Sequence, residues 1–574
     1  MNPLVQGLFK NFCKSEELGS ISQSDAFELF SASLVIPDEV TSQAQLTDLL
    51  LDQGTIGIDV IVIEINGKIV WDSDDVTDVC DQASQLSVAV YFIQAKYSEK
   101  ISSPDILNFG KSVKDFLKGE GFHAYRRTRT LVDALAFLFS EYAGKLKGSP
   151  SVNVHFCTAA PKNSVESEVI SSAINDVKSS VESLGFIGAV SAEVLGANDI
   201  HESWNRKNKA NEVEVQLEKH VNLPRMTGVD QAILGVVSVS ELLKLIQGDE
   251  NGILDERVFY DNVRGFDGID NPVNKKIIGT LKSEEKNLLP VLNNGVTVVA
   301  SSYSPKPGDA VVISDYQIVN GCQTSHCIYI AKDSLGEDIE RVFVPIRIVV
   351  TGNEDVANSI VRATNSQTAV RENDLVALTK FQKRLEEFYR LDTQDVGLTY
   401  ERRSGQFYGK EVTKARVVNI NDQLKAVAAM FLDMPHLATR YPSHLYYEVN
   451  SSIFLEAHKL LPYVASAYGA YRLENAFRTG LDPAFKPVRY HLLMAYKYHV
   501  LKHKSAPLDK NQSERDSEAI ITALRQPGQV SVFQNLANMI VQAGGGTLPS
   551  TDRLKRQQFA RELVSHSFLI NDAF

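Results

Sequence analysis

Three side chains in the first hundred residues have types and spacing that could do chemistry: Asp59, Gln94 and Lys96. Asp59 interrupts an apolar run, IGIDVIVIEI (56–65). Burying a bare carboxylate there costs on the order of several kcal/mol unless something compensates it. Gln94 and Lys96 close a second apolar run, VAVYFIQAKY (88–97). Period-two alternation puts them on one strand face, behind Val90 and Phe92. That face turns from apolar to polar where the strand ends, which is where open α/β sheets hold ligands. Carboxylate and amide oxygens suit a hard divalent cation, and Lys96 adds a fixed positive charge. The plainer alternative makes Asp59 a capped or salt-bridged strand residue, paired with Lys96.

The elements that must position these groups are readable. ISQSDAFELFSASLVI (21–36) predicts a helix, with Ser22 and Asp25 as a capping pair and an apolar stripe at Phe27, Phe30 and Leu34. Glu28 shares a stripe with Ala32 and Val35, so its face is partly covered; the alternative for Glu28 is a solvated position. The runs at 56–65 and 88–97 predict buried strands, and Asn66-Gly67 predicts a hairpin into KIVW. Helices follow over 104–118 and through LVDALAFLFSEYAGKL, with a strand at 152–158, a helix near 166–184 and a strand near 189–195. This alternation is an α/β layered domain. The Asp-rich insert (Asp72, Asp74, Asp75, Asp78, Asp81) reads as a solvated loop. The polar stretch 198–212 reads as a domain boundary.

Asp59 on one strand, Gln94-Ala95-Lys96 on the next and Glu28 on the preceding helix resemble the PD-(D/E)XK nuclease superfamily over about residues 20–200. The resemblance implies that Asp59 and Gln94 hold Mg²⁺ or Mn²⁺, that Glu28 assists, and that Lys96 positions or activates the attacking water. Gln94 stands where glutamate is commoner.

A second group of polar residues lies in NVRGFDG (262–268), NNGVTVVAS (293–301), IVNGCQTSHCIYIA (318–331) and RATNSQTAVRENDL (362–375). With YERRSGQ (400–406), these segments resemble the AIPR family (abortive infection, phage resistance) over roughly 215–500. That resemblance implies a prokaryotic protein of anti-phage defence. From the residues, Gly321 permits a tight turn, and Thr324 and Ser325 are candidates to cap the next helix, whose N-terminus favours an anion. The segment is similar to the strand–turn–helix of ParB-like and sulfiredoxin-like domains, with Thr324 where those carry arginine; Arg264, Arg347 or Arg362 are substitutes. Candidate nucleotide contacts are therefore Arg264, Asn293, Asn294, Asn320, Gln323, Thr324, Asn365 and Gln367. The alternative is a buried amide network that fixes loops.

The net charge of −12 excludes a globally basic nucleic-acid binder. It is unevenly spread: residues 1–150 carry 13 basic and 21 acidic groups, and residues 374–574 carry 26 and 20. A local DNA or RNA surface thus falls on HAYRRTR (123–129), with Arg126 and Arg127, or on 400–416, with Arg402 and Arg403. The basic groups between Lys502 and Arg556 read as a solvated helical face. No apolar run reaches 18 residues and the first twenty lack a signal-peptide core, so neither a membrane partner nor a leader is expected. Five scattered cysteines fit reduced thiols in a cytoplasm; Cys322, His326 and Cys327 lack a second ligand pair for zinc.

The expected architecture is an α/β nuclease-like domain (1–205), an α+β central domain (213–373) and a mostly α-helical region (374–574), the last supporting a homo-oligomer such as a dimer. The expected activity is a Mg²⁺-dependent nuclease acting on DNA or RNA. Its alternatives are a non-catalytic nucleic-acid-binding sensor or scaffold and a nucleotide-binding or hydrolysing enzyme centred on Asn320–Thr324.

Overall fold

The computed structural model describes residues 2–52, 54–55, 57–208, 211–247, 252, 254–259, 269, 271–365, 379–402, 406–407, 412–440 and 442–571; for 39, 256–257, 354–355, 358, 362, 364–365, 442–443 and 566–571 it describes the backbone alone. The chain divides into two compact units. One joins residues 1–207 to 377–574, and the other is 208–376. This differs from the three-part division expected above: the helical region packs with the N-terminal α/β region.

The first unit opens with helices α1 (Pro3–Ser15) and α2 (Gln23–Val35). Ser22 caps α2 as its spacing predicts, its hydroxyl accepting from the Asp25 N–H at 3.1 Å. Strands β1 (Val60–Ile65) and β2 (Lys68–Val70) form the hairpin, with Asn66 and Gly67 both at positive φ. Helix α3 (Ser73–Cys80), strand β3 (Val88–Lys96), helices α4 (Ser103–Leu117) and α5 (Arg126–Tyr142), strand β4 (Ser151–Thr158), helix α6 (Glu168–Glu182), strand β5 (Val190–Leu195) and helix α7 (Ala197–Asn208) follow.

The strands order as β2-β1-β3-β4-β5. β1 pairs antiparallel with β2 and β3, while β3, β4 and β5 run parallel. Ile61, Ile63, Val90, Phe92, Val152 and Val154 pack against Phe109, Phe116, Leu131 and Val177 of α4, α5 and α6. On the other face Val60, Val62, Ile93 and Cys157 meet Phe9, Phe27, Phe30 and Ile200 of α1, α2 and α7. Helices cover both faces, so β1 and β3 are apolar almost throughout rather than alternating.

One expectation in this region is corrected. The Asp-rich insert is helix α3, not a solvated loop: Asp72 accepts from the Asp75 N–H at 2.9 Å, and Val76, Val79 and Cys80 are buried. The two units part between residues 207 and 208, inside the stretch 198–212 read as a boundary. Most of that stretch is α7, anchored by buried Ile200 and by Trp204, whose ring lies 5.7 Å from that of Phe30.

The helical part of this unit contains α12 (Lys380–Leu391), α13 (Ile420–Met430), α14 (Leu461–Thr479), α15 (Arg489–Leu501), α16 (Asn511–Arg525), α17 (Gln529–Ala543) and α18 (Gln557–Asn571). Buried ion pairs tie it to the α/β part. Arg489 grips Asp48 through two bonds of 2.6 and 2.7 Å, with Lys486 at 3.2 Å. Arg416 meets Glu17 at 2.6 Å, and Arg440 meets Asp78 at 3.3 Å. Lys555, only 7 % exposed, lies 3.5 Å from Asp75 and 3.7 Å from Asp74. It is therefore not part of a solvated basic face. Burial alone would raise the Asp48 carboxyl, but Arg489 and Lys486 hold it well below the ordinary range.

The second unit holds a six-stranded sheet of order β6-β10-β9-β11-β8-β7. Its strands are β6 (Glu212–Gln216), β7 (Lys219–Asn222), β8 (Gln231–Ser238), β9 (Val296–Pro305), β10 (Ala310–Asn320) and β11 (Phe343–Val350). Only β9 and β11 pair in parallel. Helices α8 (Val239–Gln247) and α10 (Cys322–Leu335) close its core through Leu242, Ile246, Ile328 and Ala331. Helices α9 (Pro272–Leu281) and α11 (Glu354–Asn365) complete the labelled elements.

Candidate functional site

The register of β1 on β3 decides where Asp59 goes. Val60 pairs with Ile93, and the Asp59 N–H donates to the Ile93 carbonyl at 2.9 Å. The paired register ends there. Asp59 thus sits just before β1 rather than inside it. One of its oxygens, Oδ2, accepts from the Ala95 N–H at 2.7 Å, fixing the carboxylate across the strand gap.

Gly57 sets the approach. It has φ +74, and a Cβ there would lie 2.8 Å from the Ser112 hydroxyl of α4. The segment leading to Asp59 therefore lies directly on α4, with glycine meeting both the backbone and the space requirement.

Gln94 directly precedes Ala95 on β3. Its Oε1 is buried and has no hydrogen-bond partner among the described residues. An orphaned acceptor costs about 1–3 kcal/mol and in a native fold calls for a ligand, a water or an ion. Glu28 and Asp25 approach from α2. Burial, then the charges of Asp59 and Asp25, push Glu28 up to about 8. Burial pushes Asp59 up to about 6, against the Ala95 N–H and the Lys96 charge, which pull it down. Two carboxylates that resist ionising beside an unsatisfied amide oxygen make a hard, oxygen-only donor set, which fits Mg²⁺ or Mn²⁺. Among the described residues no three Asp, Glu, His or Cys side chains form a metal cluster, so an ion here would draw on Gln94 or on solvent for its remaining oxygens.

Lys96 points at the same strand end but is not paired with Asp59. Its ammonium lies 2.7 Å from Asp105 in the first turn of α4. The Ser102 hydroxyl donates to the other Asp105 oxygen at 2.7 Å. Asp105 and Asp25 are the members that sequence reading missed as site residues. The Ser102-x-x-Asp105 pattern at the start of a predicted helix, following Lys96, was the available signal for Asp105.

The central amides meet one another. Asn293 Nδ2 donates to Thr324 Oγ1 at 3.0 Å, and Asn293 Oδ1 accepts from the Gly295 N–H at 2.8 Å. Asn274, fully buried, donates to Gln323 Oε1 at 2.7 Å. The two loops approach so closely that a Cβ on Gly295 (φ +76) would fall 2.2 Å from the Pro345 carbonyl oxygen. One on Gly321 (φ +102) would fall 2.9 Å from that of Gly295. The expected capping of α10 by Thr324 or Ser325 is corrected. The helix starts at Cys322 behind left-handed Gly321 with no side-chain cap, and Thr324 instead bonds Asn293. Gln323, Thr324 and Asn293 thus take part in loop-fixing contacts. Asn294 and Arg347 are exposed and Asn320 is half-buried. The His326 ring bonds the Cys322 carbonyl at 2.9 Å, a local helix contact.

Of the arginines expected to meet nucleic acid, Arg126 is exposed. Arg127 is corrected: its guanidinium reaches the Asp48 carbonyl and lies 5.1 Å over the Trp71 ring. Arg402 is corrected as well, being 3 % exposed and bonded to Glu386 at 2.7 Å. Both charges are spent inside the fold. Arg264, Gln367, Arg403 and the side chain of Asn365 lie outside the described residues.

Residues 259–525 match the family model described as AIPR protein. The matched segment begins in the second unit and continues through α16 of the first. Neither the curated proteins nor the solved structures give a match. Among the described residues no helix is long and apolar enough to cross a membrane.

Proposed function

We propose that this chain is a Mg²⁺- or Mn²⁺-dependent nuclease of prokaryotic anti-phage defence. The AIPR match supports the defence role. The observation that carries the catalytic reading is the buried Gln94 Oε1, without a partner among the described residues, next in the chain to Ala95, whose N–H holds the Asp59 carboxylate at 2.7 Å. The element order α2-β1-β2-α3-β3-α4-α5-β4, a helix leading a hairpin into a mixed sheet, supports the same reading.

In this mechanism Asp59 and Gln94 would hold the ion, with Glu28 assisting. The ion, when bound, supplies a Lewis acid that neutralises charge on the scissile phosphodiester. Asp59 keeps its orientation through the Ala95 N–H. Ionising Glu28 and Asp59 together is unfavourable without a cation, so binding is coupled to proton release from this pair. Lys96 contributes a fixed positive charge beside the reacting phosphate and orients the attacking water. The site lies at the carboxyl end of β3, where an extended substrate can reach it.

The test is cleavage of plasmid DNA and of RNA with Mg²⁺ or Mn²⁺. Asp59→Ala and Lys96→Ala are each expected to abolish cleavage while leaving the fold intact. Activity that survives in both variants removes the catalytic assignment.

A further inference from the structure

On the reading just given, Lys96 has to deliver its charge to one point, yet its side chain has four rotatable bonds and carries about 2 kcal/mol of rotamer entropy. Two observations bear on how it is held. Lys96 directly follows Ala95, whose N–H holds the Asp59 carboxylate at 2.7 Å, so it leaves β3 at the candidate site. Its ammonium is 2.7 Å from Asp105 Oδ1, with both side chains 35 % exposed.

Asp105 is itself built in. The Ser102 hydroxyl occupies its second oxygen at 2.7 Å. Its backbone is in the first turn of α4, a helix anchored in the core by Ile106 and Phe109. An acidic side chain is favourable in that first turn. Strand β3 thus fixes one end of Lys96, and a core-anchored helix fixes the other.

We infer that Asp105 is the positioning residue of the nuclease site, tethering the Lys96 ammonium to the start of α4 so that it faces the position between Asp59 and Gln94. Asp105 contacts neither ion nor substrate and acts only through Lys96. Ser102 supports it by fixing the carboxylate rotamer. This inference rests on the proposed nuclease activity, although the tether itself can be measured without cleavage.

The experiment compares wild type, Asp105→Asn and Asp105→Glu in the full chain. Cleavage with Mn²⁺ is read as separate kcat and KM, Mn²⁺ binding by calorimetry, and Lys96 exposure by acylation and mass spectrometry. Asp105→Asn is expected to lower kcat about ten- to hundredfold, the scale of a mispositioned catalytic group. KM and Mn²⁺ affinity should hold, and Lys96 acylation should rise severalfold. Asp105→Glu should recover much of kcat. Three results overturn the inference: unchanged kcat in Asp105→Asn, a kcat that rises, or a loss of Mn²⁺ affinity, which would make Asp105 a ligand. If wild type cleaves nothing, the nuclease reading fails. The acylation result then decides the tether alone, and unchanged Lys96 reactivity in Asp105→Asn rejects it.

Discussion

Replacing Glu28 by glutamine should stabilise the protein, and increasingly so as pH rises. In the unfolded chain Glu28 ionises near its ordinary value of 4.5, whereas in the fold it keeps its proton up to about 8. The folded state therefore binds more protons than the unfolded state between those values, and stability falls as pH rises through that window. Below about pH 4.5 the penalty is absent, and above about pH 8 it is complete. At about 1.4 kcal/mol per tenfold change, the ceiling is about 5 kcal/mol. Glu28 is partly open to solvent, which screens the charge, so about 2 kcal/mol is the figure to expect. Glutamine matches the neutral acid in shape and cannot ionise. Guanidinium unfolding in EDTA should thus give matching midpoints for wild type and Glu28→Gln near pH 5, and a more stable variant near pH 9. Saturating Mn²⁺, at about a hundredfold over Kd, should return about 2.7 kcal/mol to wild type and much less to the variant. A wild-type/variant difference that does not change with pH would refute the argument that Glu28 is held protonated beside Asp59.

Other perturbations have equally definite outcomes. Gly295→Ala should unfold the 208–376 unit, since the new Cβ would meet the Pro345 carbonyl oxygen at 2.2 Å; limited proteolysis within that unit checks this. Arg402→Ala should cost about 3 kcal/mol by stranding Glu386. It should leave nucleic-acid affinity unchanged in filter binding below the unfolding temperature. Arg489→Ala should cost about 3 kcal/mol by removing the two-bond partner of Asp48 and leaving it to Lys486 alone, read as a lower guanidinium midpoint for the discontinuous unit.

How much of this could be read from the residues depends on the range of the interaction. β1 and β3 were legible because burial on both faces leaves an uninterrupted apolar run. The α2 start was legible because Ser22 and Asp25 lie within one turn. Period two alone put Gln94 and Lys96 on one face of β3. Helix α3 was misread because its acids outweigh Val76 and Val79, although those sit at helical spacing behind a capping Asp72. Helix α7 gave no periodic signal because only Ile200 and Trp204 anchor it and the rest is polar. Arg402 and Lys555 looked solvated because their acidic partners are distant. Lys555 reaches Asp75 across 480 positions, and no local pattern encodes that. For the same reason the joining of the first and last parts of the chain into one unit was not legible.

That joining bears on how the molecule is made. Glu17 finds Arg416 399 positions later, and Asp48 waits 441 for Arg489. During synthesis the α/β region emerges with these acids unpaired, and the whole 208–376 unit follows before their arginines arrive. Closing so long a loop costs little more than closing a short one, because the entropy grows only with the logarithm of length. It does have to happen late. On this reading the nascent α/β region carries Glu17 and Asp48 without their basic partners until the helical region has docked.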